Sequence, residues 1–458
     1  RQFPGDAQTK IALAAAGFVI ITSTSSVLRY WFFRFQIGDD AILIREGVIN
    51  KKQLDIKFRR IQGIKSEQSF VYRWFDLVTI AFDTAGSAGN EGELPAVKTA
   101  LADALRERIA KVSKDAPGSP VGEAIAETPP LLKLGWRDMI RIGLADRRAF
   151  VFLAVIAPFF EQLSEEFGQA IANQIEDVAA DVAALGPAIA TTLLSTMVLL
   201  VCVVLVIGSI VAAFLRYHNF TLFLDGGRLR SVGGLLTRHE ATMETGKVQV
   251  ARISQGLVLR WTDRIRIVLK QASSKTQKAS KSFVVPAAPS GFQQAFVGDI
   301  CAPDAVGIDV DFDSETFERV DRRFLRSRIL YGALLPVLVL TPLAWLQAGP
   351  AGFVFLLWLP LWSAIQWRLW RRLGWSVSAD AFVRRKGFVG KYLDVFLLRK
   401  VQRVTLTQSP YQRRKALATV TFYLASGSIR LPYMALKNAE TIRDYVLFKV
   451  ESSSRSWH

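Results

Sequence analysis

The sequence is poor in reactive side chains. Its 458 residues include 2 cysteines, Cys202 and Cys301, and 3 histidines, His218, His239 and His458. So few cysteines exclude a disulfide framework, and so few thiols and imidazoles leave little for a metal centre. No GxxxxGK[ST] run occurs, so no P-loop nucleotide site is supported. Gly226-Gly227 and Gly233-Gly234 fall at strand turns rather than ahead of a helix with dinucleotide spacing. Asp309-x-Asp311-x-Asp313 resembles the start of a calcium loop, but Ser314 stands where that loop needs Gly and Val320 where it needs Glu. These acids are expected instead to cap a helix that begins near Ser314 and runs through Glu318. Neither His218 nor His239 has a nucleophile and an acid nearby in sequence, so no enzyme and no cofactor are expected.

Acids are scarce as well. Lys plus Arg number 58 against 40 Asp plus Glu, a net charge of +18, while half the chain is hydrophobic and only 21% is charged. That pairing suits membrane helices joined to basic soluble domains rather than a disordered chain or an ordinary soluble enzyme. A basic chain can meet nucleic acid, but no reader motif is present, and none is expected as a partner.

The longest charge-free run is Ile329 to Trp367, 39 residues broken at Gln347-Ala-Gly-Pro350. Each limb has about 18 residues, nearly enough to span a ~30 Å hydrocarbon core. We read a helical hairpin over 329–370. Arg322, Arg323, Arg326 and Arg328 precede it and Arg368, Arg371 and Arg372 follow, so both ends are expected in the cytoplasm. A second hairpin is read over 147–215, with limbs Ala149–Phe160 and Ala188–Leu215. Between them, Glu161 to Gly186 holds six acids and no Lys or Arg, as an external connection would. A further apolar stretch, Ile11 to Leu28, gives residues 1–28 as an N-terminal membrane helix. The chain begins at Arg1, and an earlier paired helix is expected before it, with a cleaved signal peptide as the alternative.

Three segments repeat one signature: Arg60-Ile-Gln62 with Gln68, Lys247-Val-Gln249 with Gln255, and Lys400-Val-Gln402 with Gln408. Gly47, Gly234 and Gly387 each precede the first Gln by 15 residues. An alternating strand follows (Val78/Ile80/Phe82, Ile265/Ile267/Leu269, Val420/Phe422/Leu424), then an apolar-Pro step at Leu94-Pro95, Val285-Pro286 and Leu431-Pro432, then a final helix. The third copy shows the plan: strands over Val377–Phe388 with a turn at Asp380, Tyr392–Leu398, Val401–Leu406 and Thr419–Leu424, then a helix over Ala435–Lys449. Several strands and one terminal helix in about 75–85 residues make a small barrel or a sandwich.

The Gly, the Arg-Ile-Gln-x5-Gln run and Thr84-Ala85-Gly86 resemble the bacterial pleckstrin-homology-like (PH-like) domain of the YdbS/YdbT membrane protein family. Three such domains, each preceded by membrane helices, resemble the larger, YdbT-type members. The second copy departs at Gln271-Ala-Ser-Ser and the third reads Ala425-Ser-Gly. The resemblance implies membrane helical hairpins plus three small β-barrel (PH-like) domains, each closed by a C-terminal helix. It places them at 29–112, 216–300 and 371–458, with 113–146 a linker and interfacial helix and 301–328 a second linker. With the basic flanks of the apolar runs and the lack of a catalytic motif, we read a non-enzymatic scaffold or assembly protein of the bacterial inner membrane, with its PH-like domains in the cytoplasm. A second, YdbS-like PH-like membrane protein is the implied partner, in a homo- or hetero-oligomer, with a role in envelope homeostasis or peptide resistance. The alternative is a lipid or small-molecule transport element, against which the charge-free hairpin argues.

The charge excess rises along the chain: +3 over residues 29–112, +8 over 216–300 and +12 over 371–458. In the third copy it is clustered, and Arg384, Arg385, Lys386 and Arg413, Arg414, Lys415 are candidate contacts for anionic lipid or a partner, expected on exposed turns. Arg371-Arg372 reads as a helix-end topology signal. The repeated Gln residues are read as structural, since a Gln in a strand can close a turn by bonding a neighbouring backbone group.

Overall fold

The computed structural model describes residues 31–47, 51–58, 61–84, 92–114, 129–145, 187–271, 282–301 and 308–452. The stretch Ile11–Leu28, the limb Ala149–Phe160, the acidic connection 161–186, Arg60, Ala85 and Gly86 lie outside these residues. The chain divides into two compact units, Arg1–Ala126 with Glu240–Met243, and Glu127–His239 with Glu244–His458.

In the first unit β1 (Arg34–Ile37), β2 (Ala41–Glu46) and β3 (Lys52–Lys57) form one antiparallel sheet. β4 (Ile61–Gln68), β5 (Leu77–Thr84) and β6 (Glu93–Lys98) pair in the same sense. Alternation along each strand sends Ile42, Ile44, Ile56, Ile80, Phe82 and Leu94 into one core. The helix Thr99–Lys114 adds Ala102, Leu105 and Ile109, spaced to share one face.

The second unit holds β7 (Leu132–Lys133), β8 (Thr221–Asp225) and β9 (Arg228–Gly233), paired antiparallel; the strand β10 (Arg238–Glu244) follows in sequence, and its residues Glu240–Met243 are the ones assigned to the first unit. β11 (Val248–Gln255), β12 (Arg264–Gln271) and β13 (Ser282–Pro289) carry the second signature. β14 (Glu318–Arg319), β15 (Gly374–Val377), β16 (Ala381–Lys386) and β17 (Lys391–Leu397) follow, then β18 (Val401–Thr407), β19 (Leu417–Leu424) and β20 (Gly427–Ala435). The first seven of these form a single sheet in the order β13-β12-β11-β17-β16-β15-β14, and the last three form a separate sheet.

This corrects the expectation of small closed barrels: among the described residues every sheet is open. In the third copy β17 bonds to β11 of the second copy, with Ala251 opposite Val395 and Ile253 opposite Leu393, instead of continuing into its own β18. The two halves of the third copy still enclose one core, in which Phe382, Phe396 and Phe422 pack at centroid distances of 4.8 to 5.4 Å. The helix Leu436–Glu451 covers it with Ala439, Ile442 and Val446.

The signature acquires a common geometry. Gly47, Gly234 and Gly387 all have positive φ, at 105°, 114° and 155°. A Cβ on Gly234 would lie 2.0 Å from the Thr237 carbonyl oxygen, and one on Gly387 2.0 Å from that of Gly390, so these hairpin turns exclude other residues. The second Gln of each copy donates through Nε2 to the carbonyl nine residues on: Gln68 to Leu77 at 3.0 Å, Gln255 to Arg264 at 3.3 Å, Gln408 to Leu417 at 2.8 Å. Each bond spans a five-residue helix, Phe70–Trp74, Leu257–Trp261 or Pro410–Arg414. It fixes the angle at which the next strand leaves.

Among the described residues three helices are long and apolar enough to cross a membrane: Leu199–Tyr217, Arg322–Gln347 and Gly349–Arg372. The last two touch along their length, Trp358 Nε1 donating to the Gly332 carbonyl at 3.0 Å and Trp362 Nε1 to that of Arg328 at 3.1 Å. Gly332 permits this approach, since a Cβ there would lie 2.4 Å from Trp362 Nε1. The amphipathic helix Trp136–Ala145 lies against the first apolar helix, with Ser209 Oγ donating to the Gly143 carbonyl. No helix begins at Ser314. Asp309 and Asp311 accept from the backbone N–H two residues on, and the Ser314 and Thr316 hydroxyls donate to Asp309, so side chains take the place of helical bonds. The helix starts at Arg322, where Asp321 accepts from the Arg323 N–H at 2.7 Å.

Candidate functional site

Two clusters in the second unit carry the chemistry. The first lies where the second and third copies share their sheet. Asp394, on β17, is fully buried and faces three cations: Arg252 of β11 at 2.5 Å, Lys386 at 3.2 Å, and Arg384, which grips the same carboxylate with two nitrogens. Burial alone would raise the carboxyl pKa, but Arg384, Lys386 and Arg252 outweigh it and hold the group down at about 2. Burial pushes the Lys386 ammonium below its ordinary value despite the attraction of Asp394, because Arg384 and Arg252 crowd the same carboxylate. Close by, the buried Lys400 ammonium donates to the Gly246 carbonyl and, at 2.6 Å, to that of Val248. Lys400 thus clamps the start of the third signature onto the start of the second.

The second cluster is a cleft of about 330 Å³ at the C-terminal end of the apolar helix Gly349–Arg372. Trp370 fixes that end: its buried ring donates through Nε1 to the Val320 carbonyl at 2.8 Å. Arg368, Arg371 and Arg372 enter the cleft from the last helical turn, Arg385 and Lys386 from β16, Lys391 from β17 and Arg319 from β14. Asp313 is the single acid in the lining and is paired with Lys391. Arg368 Nε is bonded to the Phe388 carbonyl at 3.0 Å, and Arg371 stacks over Trp367 at 4.8 Å. Arg385 reaches the carbonyls of Phe312 and Ser314, each at 3.3 Å, and lies over the Phe317 ring at 4.5 Å. Burial and the neighbouring Arg319 and Arg372 push the Arg385 guanidinium below its usual range. The Nη1 of Arg372 and the Nε of Arg385 are buried with no hydrogen-bond partner.

The candidate contacts on the third copy therefore separate. Arg384, Arg385 and Lys386 lie within β16 rather than on a turn, because the hairpin falls after Gly387. Arg384 is committed to Asp394 and to the Arg430 carbonyl at 2.9 Å, while Arg385 and Lys386 line the cleft. Arg413, Arg414 and Lys415 lie on the short helix Pro410–Arg414 and its C-cap, and all three are exposed. Of the signature residues, Gln249 is buried and Gln402 is exposed, Lys247 makes an ion pair with Glu244 at 2.7 Å, and Gln62 has no described side chain. Sequence reasoning missed Asp394, Arg252, Arg319 and Lys391, and read Arg368, Arg371 and Arg372 only as topology signals. Only Asp394 left a signal: a lone acid inside the apolar run Tyr392–Leu398, in the most basic segment of the chain.

Among the described residues no group of His, Cys, Asp and Glu could hold a metal ion. The five-residue helices of the first two copies present apolar surface to solvent: Trp74 and the C-cap Phe75 in one, Leu257 and Trp261 in the other. Beside the latter, Arg264 pairs at 2.9 Å with Asp138 of the helix Trp136–Ala145. That carboxylate also takes Arg141 at 2.7 Å, and the two arginines lower its pKa against the effect of burial.

Comparison with known proteins matches the bacterial PH domain three times, over residues 4–113, 177–294 and 329–449. Each match begins within or just before an apolar stretch and runs through one copy of the signature. The chain is also similar to the UPF0699 transmembrane protein YdbT of Bacillus subtilis (strain 168), 19% identical over 431 residues, which cover 91% of this chain and 84% of that protein.

Proposed function

Because the chain belongs to the bacterial PH domain family, with three copies that fill most of its length, we propose that it is a non-enzymatic membrane scaffold. Its PH-like domains lie on the cytoplasmic face of the inner membrane. The observation that carries this reading is the sheet shared by the second and third copies, built on apolar helices long enough to span. Strand pairing across β11 and β17, with the Asp394 cluster and Lys400 beside it, makes two binding modules into one rigid body. Rigidity of that kind suits a platform that positions partners. The exposed Trp261 and Leu257, beside a helix packed on an apolar span, support contact with the bilayer interface, where indole rings favour the headgroup level. The partner class is a second PH-like membrane protein, whose strands meet those of this chain edge to edge as its own copies do.

Affinity capture of the full chain in mild detergent, with mass spectrometry of the recovered protein and lipid, tests the scaffold. Recovery of a PH-like membrane protein is the expected result, and recovery of the chain alone counts against it. Orientation is tested by thiol labelling of intact cells carrying Ser428→Cys together with Cys202→Ser and Cys301→Ser. Position 428 is exposed, so labelling without permeabilisation would overturn a cytoplasmic placement.

A further inference from the structure

We propose that the cationic cleft at the end of Gly349–Arg372 binds a phosphoryl group, held by Arg372 and Arg385 and screened by the surrounding lysines and arginines. The proposal rests on the scaffold reading only in placing the cleft at the leaflet, where the phosphoryl source is the headgroup of an anionic lipid.

Seven basic side chains from four separate elements converge on about 330 Å³ that holds one carboxylate. Charges of one sign gathered from separate elements repel one another. The helix dipole accounts for basic residues in the last turn, and so for Arg368, Arg371 and Arg372. It does not account for Arg319, Arg385, Lys386 or Lys391, which come from strands. The available anions are already committed: Asp313 to Lys391, and Asp394 to Lys386, Arg384 and Arg252. What remains is a guanidinium Nη1 on Arg372 and a guanidinium Nε on Arg385, both buried and both without an acceptor. Buried donors are satisfied in nearly all proteins, so two such N–H groups beside one cavity point to an absent acceptor. Planar guanidinium groups match a phosphoryl group, which offers several oxygens to more than one fork at once. The depth of the site sets this apart from the exposed Arg413, Arg414 and Lys415, which offer only a diffuse field. The cleft borders an apolar span, so a headgroup can enter while its acyl chains remain among Trp367 and the helix above it.

The test uses the full chain in nanodiscs of phosphatidylcholine alone, or with one fifth phosphatidylglycerol, and reads bound lipid by native mass spectrometry. The wild type is expected to retain phosphatidylglycerol over phosphatidylcholine by at least tenfold. Arg372→Gln with Arg385→Gln should abolish that preference, while Arg413→Gln with Arg414→Gln and Lys415→Gln should preserve it. Arg371→Gln alters only an exposed lining residue, and a severalfold loss of retention is expected even if the Arg372/Arg385 variant fails to fold. A second arm titrates inorganic phosphate into the wild type in neutral detergent. Binding that the Arg372/Arg385 substitutions remove assigns the cleft to a soluble phosphoryl ligand; phosphatidylglycerol retention without phosphate binding assigns it to a lipid headgroup. Absence of both, unchanged retention in Arg371→Gln, or loss in the Arg413–Lys415 variant equal to that in the Arg372/Arg385 variant would overturn the proposal. Capture of the protein partner by the Arg372/Arg385 variant separates the two readings: if it persists while lipid selectivity was never present, the cleft fails and the scaffold stands.

Discussion

β11 and β18 carry the same signature, yet they live in different surroundings. In β11 the residues from Val248 to Ala251 are all buried, including Gln249. In β18 only Val401 is buried, and Gln402 and Arg403 face solvent. Gln255 at the end of β11 and Gln408 just after β18 each donate to the carbonyl nine residues on, and both strands have an antiparallel neighbour on one side, β12 or β19. The difference lies on the other side. β11 pairs with β17 of the next copy, whereas β18 is the edge of its three-stranded sheet. The local code of a repeat therefore specifies its turns and its strand, while the exposure of that strand depends on whether another copy follows it. Arg403, lying over the Tyr423 ring at 4.1 Å, places a charge on the open edge, a recurrent guard against unwanted strand pairing.

The largest expected effect breaks the junction on the β11 side. Asp394→Asn leaves Arg384, Arg252 and Lys386 crowded round a neutral group, and losing one partner of a buried ionic cluster costs about 3–5 kcal/mol. Unfolding of the full chain in detergent, followed by the near-ultraviolet signal, should show this drop, and a change below about 1 kcal/mol would mean the cluster is replaceable.

Lysines at equivalent signature positions offer a paired test. Lys400→Met strips two buried carbonyls of a charged donor and should cost about 1–3 kcal/mol. Lys247→Met removes only a partly exposed pair with Glu244 and should fall within about 0.5 kcal/mol. Equal effects would show that the difference between the copies is not energetic.

Acid sharpens the same contrast. The Asp394 carboxyl has its folded pKa depressed from an ordinary 3.8 to about 2, so its stabilising contribution is complete above the unfolded value. That contribution, about 2 kcal/mol at 1.36 kcal/mol per pH unit, is lost as the pH falls through the folded pKa. A stability-pH profile should therefore steepen between about pH 4 and pH 2 in the wild type and flatten there in Asp394→Asn.

The smallest effect concerns the shared glutamines. Gln255→Ala and Gln408→Ala each forfeit one side-chain bond to a strand carbonyl, for about 1 kcal/mol apiece. Hydrogen exchange gives the complementary reading, since amides of β11 have ladder partners on both sides and alternate amides of β18 have one side open. Faster exchange in β18 is expected, and protection equal to that of β11 would show its edge to be covered.

Much of the local architecture was legible beforehand. Alternating apolar residues marked β19, and 3.6-residue spacing marked the helix Leu436–Glu451, because burial of one face leaves a period in the sequence. Gly234 stood at an expected strand turn, where a Cβ would strike a carbonyl three residues on, whereas Gly387, read within a strand over Val377–Phe388, makes the same turn after β16. The apolar limbs around Gly349 announced themselves by length and want of charge. The acids at 309–313 misled, since Asp and Ser stabilise a helix start and a non-helical turn by the same side-chain bonds, and only the neighbouring backbone decides between them.

The sequence by itself determined the repeat, its turns, its strands and the apolar helices, since each follows from sterics or periodicity within a few residues. The tertiary structure alone decided that the barrels do not close, that Lys400 is buried while Lys247 is not, and that Arg385 joins Arg372 rather than its neighbour Arg384 in one cleft. Arg384 and Arg385 are adjacent in a strand, and a strand sends adjacent side chains to opposite faces. A run of like charges was therefore split, Arg384 to the buried carboxylate of Asp394 on the neighbouring β17 and Arg385 to a cavity that β14 and the apolar helix also line.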